Sequence, residues 1–419
     1  MSQDGISKSF VDSAAKSSFS IHNLPYGIFT TSDSDSARTG VAIGDKVVDL
    51  ASLESQGLLP KATHALHSTG SLNAFASQAS SFWRQTRASL QELLGENSPS
   101  KDAVSKALLD ASDVHMHMPF EVGSFTDFYA CENHASNVGR LFRKGQPPLM
   151  PNWKHLPVAY HGRATTVFVD GAPVVRPSGL VMKPGEEAPE FSASKKMDYE
   201  LELGIFVGTG NPDGEPIPAK DALDHIFGFV LLNDWSARDI QAFEYKPLGP
   251  FLGKSFATSI SPWVVTPDAL KPCMEKHVVD GPKQASYLSS GPLLMPQIDF
   301  SVELETQDGG HKEICKANSK ELYWTPDQML AHHSINGCVM QTGDLLGTGT
   351  ISGKVEGSLG SLLETTLNGS EPIEMSDGSK RTFLQDGDHL TISGHADCGD
   401  YVVGFGEVGA TLLPARNFS

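Results

Sequence analysis

Cysteine is scarce in this chain: Cys131, Cys273, Cys315, Cys338 and Cys398 are the only five in 419 residues. They form no CxxC pair, and an odd, scattered set fits a reducing compartment better than a disulfide framework. Long apolar runs are missing as well. No stretch reaches the roughly 18 apolar residues of a membrane helix, and the best candidate, Ile226 to Leu232, has only the length of a core strand. The opening MSQDGISKSFVDSAAKSS lacks the apolar centre of a signal peptide, so a cytosolic chain with no membrane partner is expected. Positive charge is in short supply: 32 Lys and Arg face 50 Asp and Glu, giving a net charge of -18. Such a field repels nucleic acid and anionic membrane surfaces. An anionic small molecule stays possible only if its site concentrates local positive charge. Internal repeats and low-complexity tracts are absent, and so is a phosphate loop, because Gly249 to Gly253 is one residue too short for GxxxxGK[ST].

Hydrophobic residues, by contrast, make up 39% of the chain and include 21 Phe and 5 Trp, enough for a large core. The length predicts two domains of the usual size. Residues 1–118 read as a small β-rich domain with helical additions. SIHNLPYGIFTT and VAIGDKVVDL are strand-like around Gly44-Asp45. Leu72, Phe75, Ala79, Phe82, Leu90 and Leu93 then recur at helical steps, with Gly95 placed to end the helix. A second, short helix is expected over Ala103 to Leu109. Residues 119–419 alternate short apolar strands, such as YELELGIFVGTG, HIFGFVLLND and GDHLTISG, with Gly/Pro-rich turns. One helix is expected from Thr325 to Ile335, with Pro326 in its first turn. The class is mainly β with some α.

Several segments carry chemistry. Glu200 and Glu202 lie two apart in a strand-like run and so share a face. An isolated ExE pair is more often a solvated strand face; with further oxygen ligands it becomes a clamp for a cation. HIFGFVLLNDWSARDIQAFEY reads as a buried strand turning into a helix near Asp234, where a carboxylate can cap free backbone donors. Helical spacing then puts Asp234, Arg238, Gln241 and Tyr245 on one stripe, with donors suited to an oxyanion or a carboxylate. Its bland counterpart is an Asp234–Arg238 surface ion pair. Lys254 reads by itself as a surface lysine, and His134, beside Asp127, Tyr129 and Arg143, as a structural histidine as readily as a base. Cys131 near His134 is a weak thiol candidate. His332 and His333 diverge on their helix and do not share a metal easily. Tyr160 sits in a turn, Thr350 in the Gly-rich GTGTISG, and Glu364 among apolar residues, where a carboxylate needs a partner.

Taken in order, TDFYACENHASNVG, LPVAYHGRA, MDYELELGIFVG, NDWSARDIQAFEYKPLGPFLGKSFATSISPWVV and HHSINGC followed by GDLLGTGTISG closely resemble the fumarylacetoacetate hydrolase family. NLPYGIFTT and GVAIGDKVVDL resemble its larger members more loosely. The resemblance implies an N-terminal SH3-like barrel followed by a mixed β-roll catalytic domain, and a homodimer. It implies hydrolysis of a small dicarboxylic β-diketone, 4-fumarylacetoacetate, to fumarate and acetoacetate at the end of tyrosine and phenylalanine breakdown. By the same resemblance Asp127, Glu200, Glu202 and Asp234 are metal ligands, and a second cation lies near Asp234, Lys254 and Thr258. His134 matches the general base and Glu364 the residue that orients it. Arg238, Gln241 and Lys254 match the oxyanion-stabilising group, while Tyr129, Arg143, Tyr160, Gln241, Tyr245 and Thr350 match substrate contacts. An all-oxygen set suits Ca²⁺ or Mg²⁺ better than zinc. The alternatives are an acylpyruvate hydrolase or oxaloacetate decarboxylase on the same module, and a non-catalytic, metal-stabilised binding protein.

Overall fold

The computed structural model describes residues 8–143, 145–278 and 280–417. Three sheets organise them. Near the N-terminus, the strands Tyr26–Thr31, Ser34–Ile43, Lys46–Asp49, Leu108–Asp110 and Val114–His117 form a five-stranded antiparallel sheet. VAIGDKVVDL is thus a hairpin and not one strand: Gly44 turns the chain at a φ of 60°, which a residue without Cβ adopts readily.

The helix expected from Leu72 to Leu93 is interrupted. Asn73–Ala76 and Ser80–Leu94 are separate helices, and Ala79 between them is extended with a ψ of 145°. Gly95 does follow the second one as its C-cap. The helix expected over Ala103 to Leu109 is Lys101–Ser105. Leu108 and Leu109 pair with Val48 and Val47 in the sheet, so tertiary pairing overrides their helical preference. Farther on, Pro326–Ser334 is helical, opened by a Thr325–Gln328 capping box with Pro326 in the first turn.

A seven-stranded sheet carries the middle of the molecule. Its order is Ala159–His161, Phe125–Phe128, Leu345–Gly347, Leu201–Val207, Ile226–Asp234, Thr258–Ile260 and Val167–Val169. A second five-stranded sheet, containing Asp299–Glu305, His311–Asn318, His389–Asp397, Val402–Leu413 and Val174–Val175, packs beside it. Leu201, Leu203, Ile205 and Leu231 point from the central sheet into the core shared with Phe300, Ile392 and Phe405. On the opposite face Phe125, Phe206, Val230 and Leu232 join a core with Tyr26, Phe75, Trp83 and Leu90 of the N-terminal segment.

That second face changes character along its strands. Phe125 is followed two residues later by Asp127, and Leu232 by Asp234; Phe206 is preceded on the same face by Gly204 and Glu202. Three strands, with Leu345–Gly347 between the first and the other two, therefore run from apolar to acidic in one direction, and the acidic ends converge.

Candidate active site

Asp127, Glu200, Glu202 and Asp234 each offer an oxygen, and these four atoms lie within 4.8 Å of one another. All four side chains are buried, so Glu200 and Glu202 are not a solvated strand face. Asp234 ends the strand Ile226–Asp234 rather than starting a helix. After the short strand Ser236–Ala237, the helix Arg238–Glu244 has Ala237 as its N-cap, so Asp234 shares no helical stripe with Arg238. The surface ion pair between those two residues is absent too. Arg238 is buried, and its Nε donates to Asp198 Oδ2 at 2.8 Å and its Nη1 to Glu200 Oε1 at 2.8 Å.

Lys254 is likewise inside, with its ammonium between Glu200 and Asp234; the bond to Asp234 Oδ2 is 2.7 Å. Thr258 Oγ1 donates to Asp234 Oδ1 at 2.7 Å and Tyr160 Oη to Asp234 Oδ2 at 3.0 Å. A second cation expected near Asp234, Lys254 and Thr258 would compete with these hydrogen bonds. The cations set the electrostatics. Burial by itself would raise Glu200, yet Lys254 and Arg238 hold it down at about 2. Burial and the charges of neighbouring carboxylates push Asp127 and Glu202 well above the usual carboxylate range.

A divalent cation fits the second pair. Asp127 Oδ1 and Glu202 Oε1 are buried and accept no hydrogen bond among the described residues. Gly347 pairs in register with Asp127 and with Gly204. A Cβ on Gly347 would come within 2.7 Å of Glu202 Oε2 and 3.0 Å of Asp127 Oδ1, so its missing side chain keeps that space open. A carboxylate-rich, all-oxygen donor set of this kind suits a hard cation.

The opposite wall is the helix Glu132–Phe142, which carries His134. His134 Nδ1 meets Glu364 Oε2 at 2.6 Å, although the two residues are 230 positions apart. Glu364 also accepts from Asn137 Nδ2, Ser352 Oγ and Ser361 Oγ, each at 2.9 Å. Its burial raises its pKa, but His134 and these donors outweigh that and lower it. An ionised Glu364 only accepts, so it takes its hydrogen bond from His134 Nδ1–H; in the neutral ring that leaves Nε2 without a proton.

Both walls face one cavity of about 390 Å³. Asp127, Tyr129, His134, Arg143 and Tyr160 line it, as do Glu200, Arg238, Gln241, Tyr245, Lys254 and Thr350. Glu202, Asp234 and Glu364 stand behind this lining, in contact with it, and Thr258 is held to Asp234. Three residues of this lining carry a buried donor without a hydrogen-bond partner among the described residues: Arg238 Nη2, Arg143 Nε and Thr350 Oγ1. Gln241 Oε1 accepts from Arg238 Nη1 at 3.2 Å, which leaves its amide NH₂ to donate elsewhere.

Several contributors escaped sequence reasoning. Asn137 was findable, since it lies one helical turn from His134. Asp198 opens the same MDYELELG segment that holds the glutamates, but nothing local marks its partners. Ser352 and Ser361 carry no recognisable signal. The scattered cysteines, expected to stay reduced, include one joined pair, Cys273 and Cys398, 125 residues apart; no local spacing announces it. His332 and His333 do part company, to Tyr287 and Thr126 respectively.

Cys131 gives no support for a thiol nucleophile. Burial pushes it up to about 11, and its Sγ donates to Ser352 O at 3.2 Å. What the cavity offers instead is an imidazole able to deprotonate water beside fixed cationic donors, and that is the equipment of a hydrolase.

Comparison with known proteins narrows the class. Residues 22–119 match the family described as Fumarylacetoacetase N-terminal, and residues 124–412 match Fumarylacetoacetate (FAA) hydrolase C-terminal. The chain belongs to the fumarylacetoacetase family. It is 46% identical to the fumarylacetoacetase of Rattus norvegicus over 415 residues, covering 97% of this chain and 99% of the relative. With the fumarylacetoacetase of Arabidopsis thaliana it shares 44% over 420 residues, again 97% and 99% of the two chains. Among solved structures, a fumarylacetoacetate hydrolase from psychrophilic Exiguobacterium antarcticum shares the fold at a TM-score of 0.53 and 17% identity, covering 94% of this chain and 100% of its own.

Proposed function

We propose that this chain hydrolyses the carbon–carbon bond of 4-fumarylacetoacetate to fumarate and acetoacetate, the last step of tyrosine and phenylalanine breakdown. The observation that carries the reading is the Glu364-held imidazole of His134 facing the buried carboxylate cluster across a single cavity. Relatives named fumarylacetoacetase that align over almost the whole chain support it. The acylpyruvate and oxaloacetate readings and the non-catalytic reading have no comparable support.

In this reading His134 Nε2 takes a proton from water, whose oxygen adds to the carbonyl carbon beside the fumaryl double bond. Such base assistance contributes about 10² to 10⁴ in rate. Arg238, Gln241 and Lys254 hold the oxygen that becomes anionic; losing one such donor typically costs about 3 kcal/mol. The carbon–carbon bond then breaks with its electron pair on the acetoacetate carbon, and the proton on His134 returns there. Asp127, Glu200, Glu202 and Asp234 would hold Ca²⁺ or Mg²⁺, whose charge favours the enolate-like leaving group. Arg143, Tyr129, Tyr160, Tyr245 and Thr350 bind and orient the dianionic substrate, which the net charge of -18 would otherwise repel.

The division at 118/119 into two domains, the homodimer and the cytosolic location belong to the same proposal. Limited proteolysis, light scattering and cell fractionation check them in turn. The activity itself is tested by fumarate release from fumarylacetoacetate, with and without chelator, beside oxaloacetate as competing substrate. Chelator-sensitive cleavage of fumarylacetoacetate is expected; turnover of oxaloacetate alone, or of neither compound, would overturn the assignment.

A further inference from the structure

Asp198 has no part in the mechanism above, yet it touches both of its arms. The side chain is wholly buried. Its Oδ2 accepts from Arg238 Nε at 2.8 Å and from the backbone N–H of Leu363 at 3.0 Å. Its Oδ1 accepts from the N–H of Leu362 at 2.7 Å and of Tyr199 at 2.9 Å. Leu362 and Leu363 open the short helix Leu362–Thr365, and the next residue in it is Glu364, the partner of His134. One carboxylate therefore ties the guanidinium on one side of the cavity to the segment that aims the imidazole on the other.

The way Arg238 is held makes this tie consequential. A guanidinium is planar and has five donors in a fixed fork, so holding one edge fixes the direction of the rest. Nε is taken by Asp198, and Nη1 by Glu200 Oε1 at 2.8 Å and Gln241 Oε1 at 3.2 Å. Nη2 has no partner, and Arg238 lines the cavity. Glu200 already supplies one negative charge to Arg238, so neutralisation does not by itself require Asp198.

We infer that Asp198 is a positioning residue: it fixes the Arg238 Nη2 donor and the Glu364 helix relative to each other, so that proton acceptor and oxyanion donor meet one substrate together. The inference rests on the roles proposed for Arg238 and His134. An inactive wild type would remove both readings, whereas an active wild type isolates this one.

The test is steady-state hydrolysis of fumarylacetoacetate by Asp198→Asn, Arg238→Gln and the double variant, with cation content measured on each. Asn cannot present an acceptor to Arg238 and to all three backbone donors at once. Asp198→Asn is expected to lower kcat by about 10- to 100-fold while retaining its cation. KM should stay within about threefold, as for an interaction made in the transition state. Added to Arg238→Gln, it should cost less than it costs alone, because the Arg238 arm is already lost and only the Glu364 arm is left to disturb. An unchanged kcat, a rise in KM alone, or losses that multiply in the double variant would overturn the inference. If Asp198→Asn does not fold, Asp198→Glu, which keeps the charge but displaces the carboxylate, carries the same expected split between kcat and KM.

Discussion

Glu200 and Glu202 sit two residues apart on one face, yet they belong to opposite halves of the carboxylate cluster. Around Glu200 and Asp234 the negative charge is met inside the protein by Lys254 and Arg238, and Glu200 stays ionised down to about 2. Around Asp127 and Glu202 no cationic side chain makes contact among the described residues, one oxygen of each has no partner, and burial with mutual repulsion drives both upward. The contrast teaches that four carboxylates close enough to share one cation need not be met alike by the protein's own charges. Two of these carboxylates lie in an ion-pair network with Lys254 and Arg238, although burial still raises Asp234; the other two have no cationic partner among the described residues.

The largest effect is expected from the imidazole that faces both halves. His134→Ala should lower kcat by about 10² to 10⁴ and leave the cation content unchanged. Loss of the cation together with the imidazole would mean that the wall and the cluster are not separable. Next comes the satisfied half. Glu200→Gln leaves Lys254 with Asp234 alone and Arg238 with Asp198 alone, and should cost about 3 kcal/mol of stability, read by denaturant unfolding in chelator. An unmoved midpoint would break the contrast. Smaller, and specific to the unmet half, is the response to the cation: wild-type protein with ion at about 100 times its Kd should gain about 2.7 kcal/mol over the chelated form. Asp127→Asn with Glu202→Gln should abolish that gain. The smallest effect has the opposite sign from Glu200→Gln. In chelator the same Asp127/Glu202 double variant should lose no stability and gain up to about 1 kcal/mol, since it replaces two buried, mutually repelling carboxyl groups by neutral amides. A loss as large as that of Glu200→Gln would show that the two halves are held alike.

Parts of this were legible in the sequence. The two-residue spacing put both glutamates on one face, and the apolar residues after each of them did turn into the core: Leu201 and Leu203 are fully buried. Extrapolating a helix back to Asp234 failed, because the strand continues to that residue and a further bridge, Ser236–Ala237, intervenes. Helical spacing is meaningful only once the helix start is known, and boundaries are the least readable property of a sequence. Lys254 illustrates a different limit. A lysine after glycine reads as surface, and only the carboxylates of Glu200 and Asp234, brought in from other segments, make its burial tolerable.

By itself, then, the sequence determined the alternation of strands and turns, the same-face placement of the glutamates, the excess of acid and the ordered motifs. Only the tertiary structure decided which carboxylates are neutralised, that His134 meets Glu364 across 230 residues, and that Asp198 reaches both arms of the cavity. The physical reason lies in range. Periodicity and propensity act between neighbours along the chain, whereas an ion pair between distant segments forms only after the packing of whole sheets has offset the entropy of bringing them together.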